Sequence, residues 1–126
     1  MDVVFSKELV RLQNACRYSW QGMKSSWDDA GAFRLEICLT PFIAIAALCM
    51  AGDHIEFFML FASWLLVPLT ELVNTAIEAA TDLACKEEIH PLAKKAKDCG
   101  SAAVAMALMI FALAWLTIFV GCFFSL

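Results

Sequence analysis

The chain has 126 residues and a formal net charge of −4, and 62% of its residues are hydrophobic while only 17% are charged. This balance excludes a soluble domain, whose surface would face water, and indicates a protein with lipid as its solvent. The length allows one domain, residues 1–126, and three membrane-spanning helices would occupy more than half of it.

The first predicted element is an amphipathic helix over residues about 5–27. Its apolar side chains recur at steps of three and four residues and share one helical face. They are Phe5, Leu9, Leu12, Cys16, Trp20, Met23 and Trp27. We predict a helix that lies on the membrane surface, with packing against other protein segments as the alternative. Charges interrupt its first apolar positions, so we expect no cleavable signal peptide.

Three transmembrane helices are predicted after it, at about 33–52, 56–84 and 98–124. The strongest signal is the stretch from Cys99 to Leu126, which contains no charged residue. The second span has an uncharged run, Phe57–Thr70, that is too short to cross a bilayer alone. It must therefore continue through Glu71 toward Ala84. The expected fold is an all-α membrane protein with one surface helix and three spans.

The basic residues predict how the chain lies in the membrane. Five precede the first span and four lie between the second and third, whereas the 53–56 loop has none. By the positive-inside rule, the N-terminus and the 85–98 connection are cytoplasmic, and the C-terminus lies outside. His90-Pro91 marks a turn in that connection.

The six cysteines form no C-x-x-C pair, and four fall in or beside apolar runs. We interpret them as reduced thiols. A Cys49–Cys122 disulfide on the outer side is the alternative, because the first and third spans both reach that face.

Polar residues form a stripe along the second span. At about 100° per residue, the stripe covers about a third of the helix circumference. Its members are Glu71, Asn74, Thr75, Glu78, Thr81 and Asp82. Charge at membrane depth is costly, so we expect the stripe to face a bundle interior or a wet cleft and to be functional. A solvated helix face beyond the membrane is the structural alternative.

Two kinds of chemistry suit clustered carboxylates beside a basic connection. They can hold a hard cation such as Mg²⁺, which prefers oxygen ligands and shares them with phosphates, or they can relay protons. The five glycines are scattered, which leaves neither a G-x-x-x-x-G-K-[ST] loop nor a G-x-G-x-x-G turn. A bound nucleotide would need another phosphate site.

The motifs resemble those of the prokaryotic diacylglycerol kinase family. The resemblance rests on Glu71-Leu-Val-Asn74-Thr-Ala-Ile-Glu78-Ala-Ala-Thr-Asp82 and on Ala96-Lys97-Asp98-Cys-Gly100-Ser101-Ala-Ala. Tyr18-Ser19-Trp20 with Gly22, and Ala32-Phe33-Arg34 with Glu36, add amino-terminal signatures. The resemblance covers the chain from Arg11 to Trp115. It implies a homotrimer with active sites shared between subunits at the cytoplasmic surface, and ATP-dependent phosphorylation of a lipid hydroxyl.

The resemblance also implies roles for single residues. Glu71 matches the general base, and Glu78 matches a Mg²⁺ ligand. The positions that match nucleotide contacts are Arg11, Tyr18, Glu78, Glu88, His90, Lys97 and Asp98. Those that match the lipid site are Trp20, Lys24, Trp27, Phe33, Arg34, Glu36, Glu71, Asn74, Ser101 and Trp115.

Two departures from the family pattern affect these roles. The family has a second metal-binding Glu where this chain has Ala30, preceded by Asp28 and Asp29. We hypothesise that Asp29, about 100° away on a regular helix, replaces it. One extra residue between Asp82 and Lys97 shifts the match of Glu88 and His90 by up to one position.

The leading hypothesis is ATP- and Mg²⁺-dependent phosphorylation of diacylglycerol to phosphatidic acid in a bacterial cytoplasmic membrane. The run His90-Pro91-Leu92-Ala93-Lys94 is more similar to the undecaprenol kinases of the same superfamily, so undecaprenol is the alternative substrate. A non-enzymatic bundle that relays protons or ions, or an inactive kinase, would show no phosphate transfer. No nucleic-acid partner is expected.

Overall fold

The structure, a computed structural model, describes residues 2–85 and 90–124. It contains four α-helices: α1 (Asp2–Asp29), α2 (Gly31–Met50), α3 (His54–Cys85) and α4 (Pro91–Phe124). The described residues include no β-strand. The last three helices are long and apolar enough to cross a membrane, judged by length and composition. The predicted all-α architecture of one amphipathic helix and three spans is therefore confirmed.

The three spanning helices differ in length in a way that sets the layout of the molecule. At about 1.5 Å per residue, α2 is about 30 Å long, and α3 and α4 are about 48 and 51 Å. The hydrocarbon core of a bilayer is about 30 Å thick. We call the end with the 51–53 connection the loop end. The opposite end, where α2 begins, α3 ends and α4 begins, is the polar end, because the surplus turns of α3 and α4 carry their charged residues there.

Helix α4 begins at Pro91 instead of at about residue 98, where the prediction placed it. The apolar run that suggested the later start is only the membrane-buried part of a longer helix. Proline suits the first helical position because its missing N–H has no intrahelical partner there. His90 caps the helix, since its Nδ1 accepts a hydrogen bond from the Leu92 N–H at 3.2 Å. A Lys94–Asp98 ion pair one turn apart, at 2.5 Å, supports the exposed first turns.

At the loop end, Asp53 caps α3. Its Oδ1 accepts hydrogen bonds from the Ile55 and Glu56 N–H groups at 2.8 and 2.9 Å. These bonds, led by that from Glu56, lower the pKa of the Asp53 carboxyl. The Glu56 carboxylate in turn accepts from the Gly52 N–H at 2.7 Å. The tight connection between α2 and α3 is thus closed by its own side chains.

The bundle interior is apolar at the loop end and in the middle. One cluster consists of Ala47, Leu60 and Ile118, and the next of Trp64, Val67 and Ala107. The two indole groups inside the bundle find acceptors: Trp64 Nε1 donates to Thr40 Oγ1 at 3.0 Å, and Trp115 Nε1 donates to the Leu60 carbonyl at 3.3 Å. All six cysteines are free thiols, as predicted.

Helix α1 lies against the polar end and is exposed along almost its whole length. Its last turn contains two aspartates and no basic residue, which adds negative charge to the negative end of the helix dipole. Arg34 of α2 offsets this charge. Its Nε donates to the Trp27 carbonyl at 3.0 Å and its Nη2 to the Asp28 carbonyl at 3.1 Å. A side chain predicted for the lipid site is therefore also the C-terminal cap of α1.

This contact yields a prediction for Arg34→Ala. Loss of two charge-assisted hydrogen bonds should cost about 1 kcal/mol locally and fray the last turn of α1. Hydrogen–deuterium exchange in detergent micelles should show faster exchange over residues 25–30. Arg17→Ala, which removes an exposed arginine of the same helix, should leave that exchange unchanged. Equal protection in the Arg34 variant would contradict the capping role.

Candidate active site

The polar stripe of α3 faces the bundle, while the apolar side of the same turns faces outward. Asn74 is buried at 7% exposure, and Glu71 and Glu78 are half-buried. Val73 and Leu83, on the other side, are 53% and 82% exposed. This is the reverse of a soluble helix and is expected where the outer solvent is lipid. The prediction that the stripe faces inward therefore agrees with the geometry from Glu71 to Thr81, whereas the side chain of Asp82 is 67% exposed.

The two hydroxyl groups within the stripe are occupied by the helix backbone. Thr75 Oγ1 donates to the Glu71 carbonyl at 2.9 Å, and Thr81 Oγ1 donates to the Ile77 and Glu78 carbonyls at the same distance. Such bonds are the usual way a threonine is satisfied inside a helix. The carboxylates and Asn74 are consequently the groups of the stripe that can act on a ligand.

Three carboxyl groups form a row from α2 to α3. Glu36 interacts electrostatically with Glu71, and Glu71 with Glu78. Lys97 of α4 approaches the far end of the row, where it interacts with Glu78. Among the described residues, the only side-chain acceptors that are buried without a donor are Glu36 Oε2 and Asn74 Oδ1, which both lie in this region. Buried polar atoms are normally paired, so the region is suited to a cation or to hydrogen-bond donors from outside.

Several charged residues predicted to contact nucleotide are paired within the chain. Lys97 Nζ donates to Asp82 Oδ1 at 2.5 Å and joins α4 to the end of α3. Asp98 pairs with Lys94, and Arg11 with Glu8 at 3.0 Å. All of these pairs are largely exposed, and exposed ion pairs are weak. A polyphosphate could therefore replace Asp82 as the partner of Lys97 and Glu8 as the partner of Arg11 at little cost.

A cavity of about 390 Å³ opens between α1 and α2. Its walls are almost entirely apolar and are formed by Trp20, Met23, Lys24, Trp27, Phe33 and Ile37. Four of these residues were predicted for the lipid site, and the structure brings them together. An apolar cavity lined in part by the aliphatic portion of Lys24 matches a lipid chain whose polar head lies near the ammonium group.

A groove of about 530 Å³ lies between α1 and α3, on the other side of Met23. It carries hydroxyl groups from Ser19, Ser25, Ser26 and Thr75 beside small residues of both helices. No function was predicted for these serines from the sequence. The sequence feature that indicates the groove is the recurrence of small residues at Ser19, Gly22 and Ser26, at the three- and four-residue steps of one helix face.

The structure does not bring all predicted site residues together. Trp115 lies fourteen residues beyond Ser101 on α4, which is about 21 Å along the helix axis, and packs against the loop-end cluster. Tyr18 is 65% exposed on α1, His90 is exposed just before α4, and Ser101 is exposed on α4. Glu88 lies outside the described residues.

The position of Asp29 differs from the geometry that the sequence suggested. Asp29 is the last residue of α1, whereas Ala30 has extended backbone angles, φ −102° and ψ 105°, and separates α1 from α2. A regular-helix displacement of about 100° between them was therefore wrong. Asp29 is exposed, and its Oδ2 accepts a hydrogen bond from Ser25 Oγ at 3.3 Å. Because Ser25 lines the groove shared with α3, Asp29 lies at the same end of the molecule as the stripe.

Among the described residues, no three His, Cys, Asp or Glu side chains lie close enough together to hold a metal ion by themselves. Glu78 nevertheless fits a Mg²⁺ ligand, because Asn74 Nδ2 holds its Oε1 at 3.0 Å and its other oxygen is left for a cation. Mg²⁺ is commonly bound by one or two carboxylates together with substrate phosphates. A magnesium site here would be completed by phosphate oxygens.

Comparison with known proteins shows the family of this chain. The family model for prokaryotic diacylglycerol kinase matches residues 17–119. A diacylglycerol kinase of Helicobacter pylori is 39% identical over 87% of this chain and 85% of its own length. Those of Escherichia coli K12 and Pseudomonas aeruginosa are 36% and 37% identical, covering 83% and 90% of this chain and 85% and 91% of their own lengths. With its three potential spans and its row of carboxyl groups at one end, the chain belongs to the prokaryotic diacylglycerol kinase family, whose members are membrane lipid kinases.

Proposed function

We propose that the protein transfers the γ-phosphate of ATP to the free hydroxyl of diacylglycerol and forms phosphatidic acid. The observation that carries the proposal is the row Glu36, Glu71 and Glu78, which lies between a lipid-sized apolar cavity and the cationic Lys97. The names of the bacterial relatives support diacylglycerol as the lipid. The reaction takes place at the cytoplasmic surface of a bacterial inner membrane, with the N-terminus inside and the C-terminus outside.

Glu71 is the proposed general base. It lies in the middle of the row, at the depth where a lipid hydroxyl meets the headgroup region, and it follows an apolar run that keeps water away. One of its carboxylate oxygens takes the hydroxyl proton as the lipid oxygen bonds to the γ-phosphorus. The bond from that phosphorus to the oxygen bridging it to the β-phosphorus then breaks, and ADP leaves. Proton removal of this kind contributes roughly 10²–10⁴-fold to a rate.

The lipid is held by the cavity between α1 and α2. One acyl chain would contact Trp20, Trp27 and Phe33, and Lys24 would lie at the headgroup. In this pose the hydroxyl points from the cavity toward α3. Arg34 contributes by fixing the end of α1 that carries two of these residues.

The phosphates are bound at the other end of the row. Glu78, together with Asp29, would hold Mg²⁺, which offsets the charge on the transferring phosphoryl oxygens when bound. Lys97 leaves Asp82 to contact the phosphates. The other proposed nucleotide contacts are Arg11, Tyr18, Glu88, His90 and Asp98. Because phosphoryl transfer needs mainly positioning and charge neutralisation, these residues suffice without a glycine-rich loop.

A homotrimer is part of the proposal. In the single chain, α1 is exposed along almost its whole length. Two side-chain acceptors, Glu36 Oε2 in the row and Asn74 Oδ1 beside it, have no donor among the described residues. A neighbouring subunit that covers the row would bury part of α1 and supply donors. Active sites shared between subunits follow from this arrangement.

The test is a phosphate-transfer assay with purified protein in mixed micelles. We expect label from [γ-³²P]ATP to appear in phosphatidic acid when Mg²⁺ and diacylglycerol are present, and transfer to undecaprenol to be at least about tenfold slower. Faster labelling of undecaprenol would identify an undecaprenol kinase instead. No transfer to either lipid would favour a non-enzymatic bundle or an inactive kinase.

Glu71→Gln should lower kcat by at least about 100-fold, because the amide cannot accept the proton. The helical circular dichroism and the elution volume in detergent should remain those of the wild type. Glu56→Gln is the matched control, since it changes a glutamate at the loop end of the same helix. Wild-type activity in the Glu71 variant would remove Glu71 from the base role.

The metal site makes a separate prediction. Glu78→Ala should abolish Mg²⁺-dependent transfer, and Asp29→Ala should raise the Mg²⁺ concentration for half-maximal rate about tenfold. Asp28→Ala is the control, because it removes the adjacent carboxylate but keeps the carbonyl that Arg34 contacts. An unchanged magnesium dependence in the Asp29 variant would mean that Asp29 is not the second ligand.

A further inference from the structure

Gly100 of α4 lies directly against Asn74 of α3. Gly100 is buried, and a Cβ atom added to it would overlap Asn74 Oδ1. The side chain of Asn74 thus occupies the space that any residue other than glycine would need. Close approach of a side chain to a helix backbone is one of the physical reasons for glycine inside a helix, where it otherwise costs about 1 kcal/mol relative to alanine.

The hydrogen bond to Glu78 sets the orientation of the Asn74 amide, and the missing Cβ of Gly100 leaves the space that the amide needs in this orientation. With its oxygen against Gly100, the amide directs Nδ2 along α3 to Glu78 Oε1, at 3.0 Å. The reverse orientation would place an amide oxygen against a carboxylate oxygen, and neither can donate a hydrogen bond. Asn74 is buried, so it has little room for other orientations.

We propose that Gly100 is a positioning residue for Glu78 and that it acts through Asn74. The amide bond fixes one oxygen of Glu78 and leaves the other directed away from Asn74 for a cation. Hydrogen bonds to a ligating carboxylate commonly affect metal affinity by about 10–100-fold. This inference rests on the proposed function, in which Glu78 holds Mg²⁺.

The experiment measures metal binding apart from turnover. Equilibrium dialysis of the detergent-solubilised protein against Mn²⁺ and β,γ-methylene ATP gives the dissociation constant of protein-bound Mn²⁺. Gly100→Ala should raise this constant at least about tenfold, because the new methyl group displaces the Asn74 amide from Glu78. Gly121→Ala is the matched control on the same helix, since a Cβ there has no neighbour within 4 Å, and it should leave the constant unchanged.

A double-mutant comparison tests whether the effect passes through Asn74. Asn74→Ala should weaken Mn²⁺ binding, and Gly100→Ala combined with Asn74→Ala should weaken it no further. In turnover, Gly100→Ala should raise the KM for Mg²⁺ by about as much as Asn74→Ala does. Additive losses in the double variant would overturn the proposal.

Two further variants separate this inference from the proposed function. If Glu78→Ala loses Mn²⁺ but Gly100→Ala keeps it, the metal role of Glu78 stands and the positioning role fails. If Glu78→Ala keeps Mn²⁺, the proposed metal role fails and the inference fails with it. Should Gly100→Ala not fold, Asn74→Leu, which keeps the bulk but removes the donor, decides the question. Wild-type Mn²⁺ affinity in that variant would overturn the proposal.

Discussion

The thickness of the bilayer is the constraint on which the rest of the structure depends. About 20 residues of helix cross the hydrocarbon core, and α2 has that length, whereas α3 and α4 have 32 and 34 residues. The surplus turns of both long helices extend from the same end, since α2 and the short 51–53 connection align their other ends. Charged side chains of α3 and α4 can therefore meet at the polar end without entering the hydrocarbon. If the hydrocarbon core begins at the loop end, Glu71, about 26 Å along α3 from His54, falls near its far boundary.

The apolar clusters and the polar side chains of the interior occupy different parts of one bundle, as is possible where the outer solvent is lipid. The apolar clusters at the loop end and in the middle are closed and fully paired, with both indole N–H groups bonded. At the polar end, the interior is lined with Glu36, Glu71, Asn74 and Glu78, and two acceptors among them have no donor. Burial of a polar atom without a hydrogen-bond partner is costly in an apolar core. In the proposed function, a bound ligand or a neighbouring subunit would supply the missing partners.

Much of this arrangement could be predicted from periodicity. Uncharged runs indicated the spans, and the 100° spacing placed the stripe of α3 on one face. The start of α4 could not be predicted in this way, because hydropathy marks where a helix enters lipid, whereas Pro91 and the His90 cap mark where it begins. Contacts between helices also escaped prediction: the Arg34 cap, the core position of Trp115 and the approach of Gly100 to Asn74 depend on how separate helices meet.

The junction between α1 and α2 shows this limit most clearly. Ala30 occupies the position where the resemblance predicts a metal-binding glutamate, and the sequence led to the hypothesis that Asp29, about 100° away on a regular helix, replaces it. Ala30 is extended, however, so the helical period does not apply across residue 30, and Asp29 belongs to the end of α1 that Arg34 fixes. The direction of its carboxylate depends on how that end is held and on its bond with Ser25. The side chain that caps α1 therefore also fixes the backbone from which the Asp29 carboxylate extends.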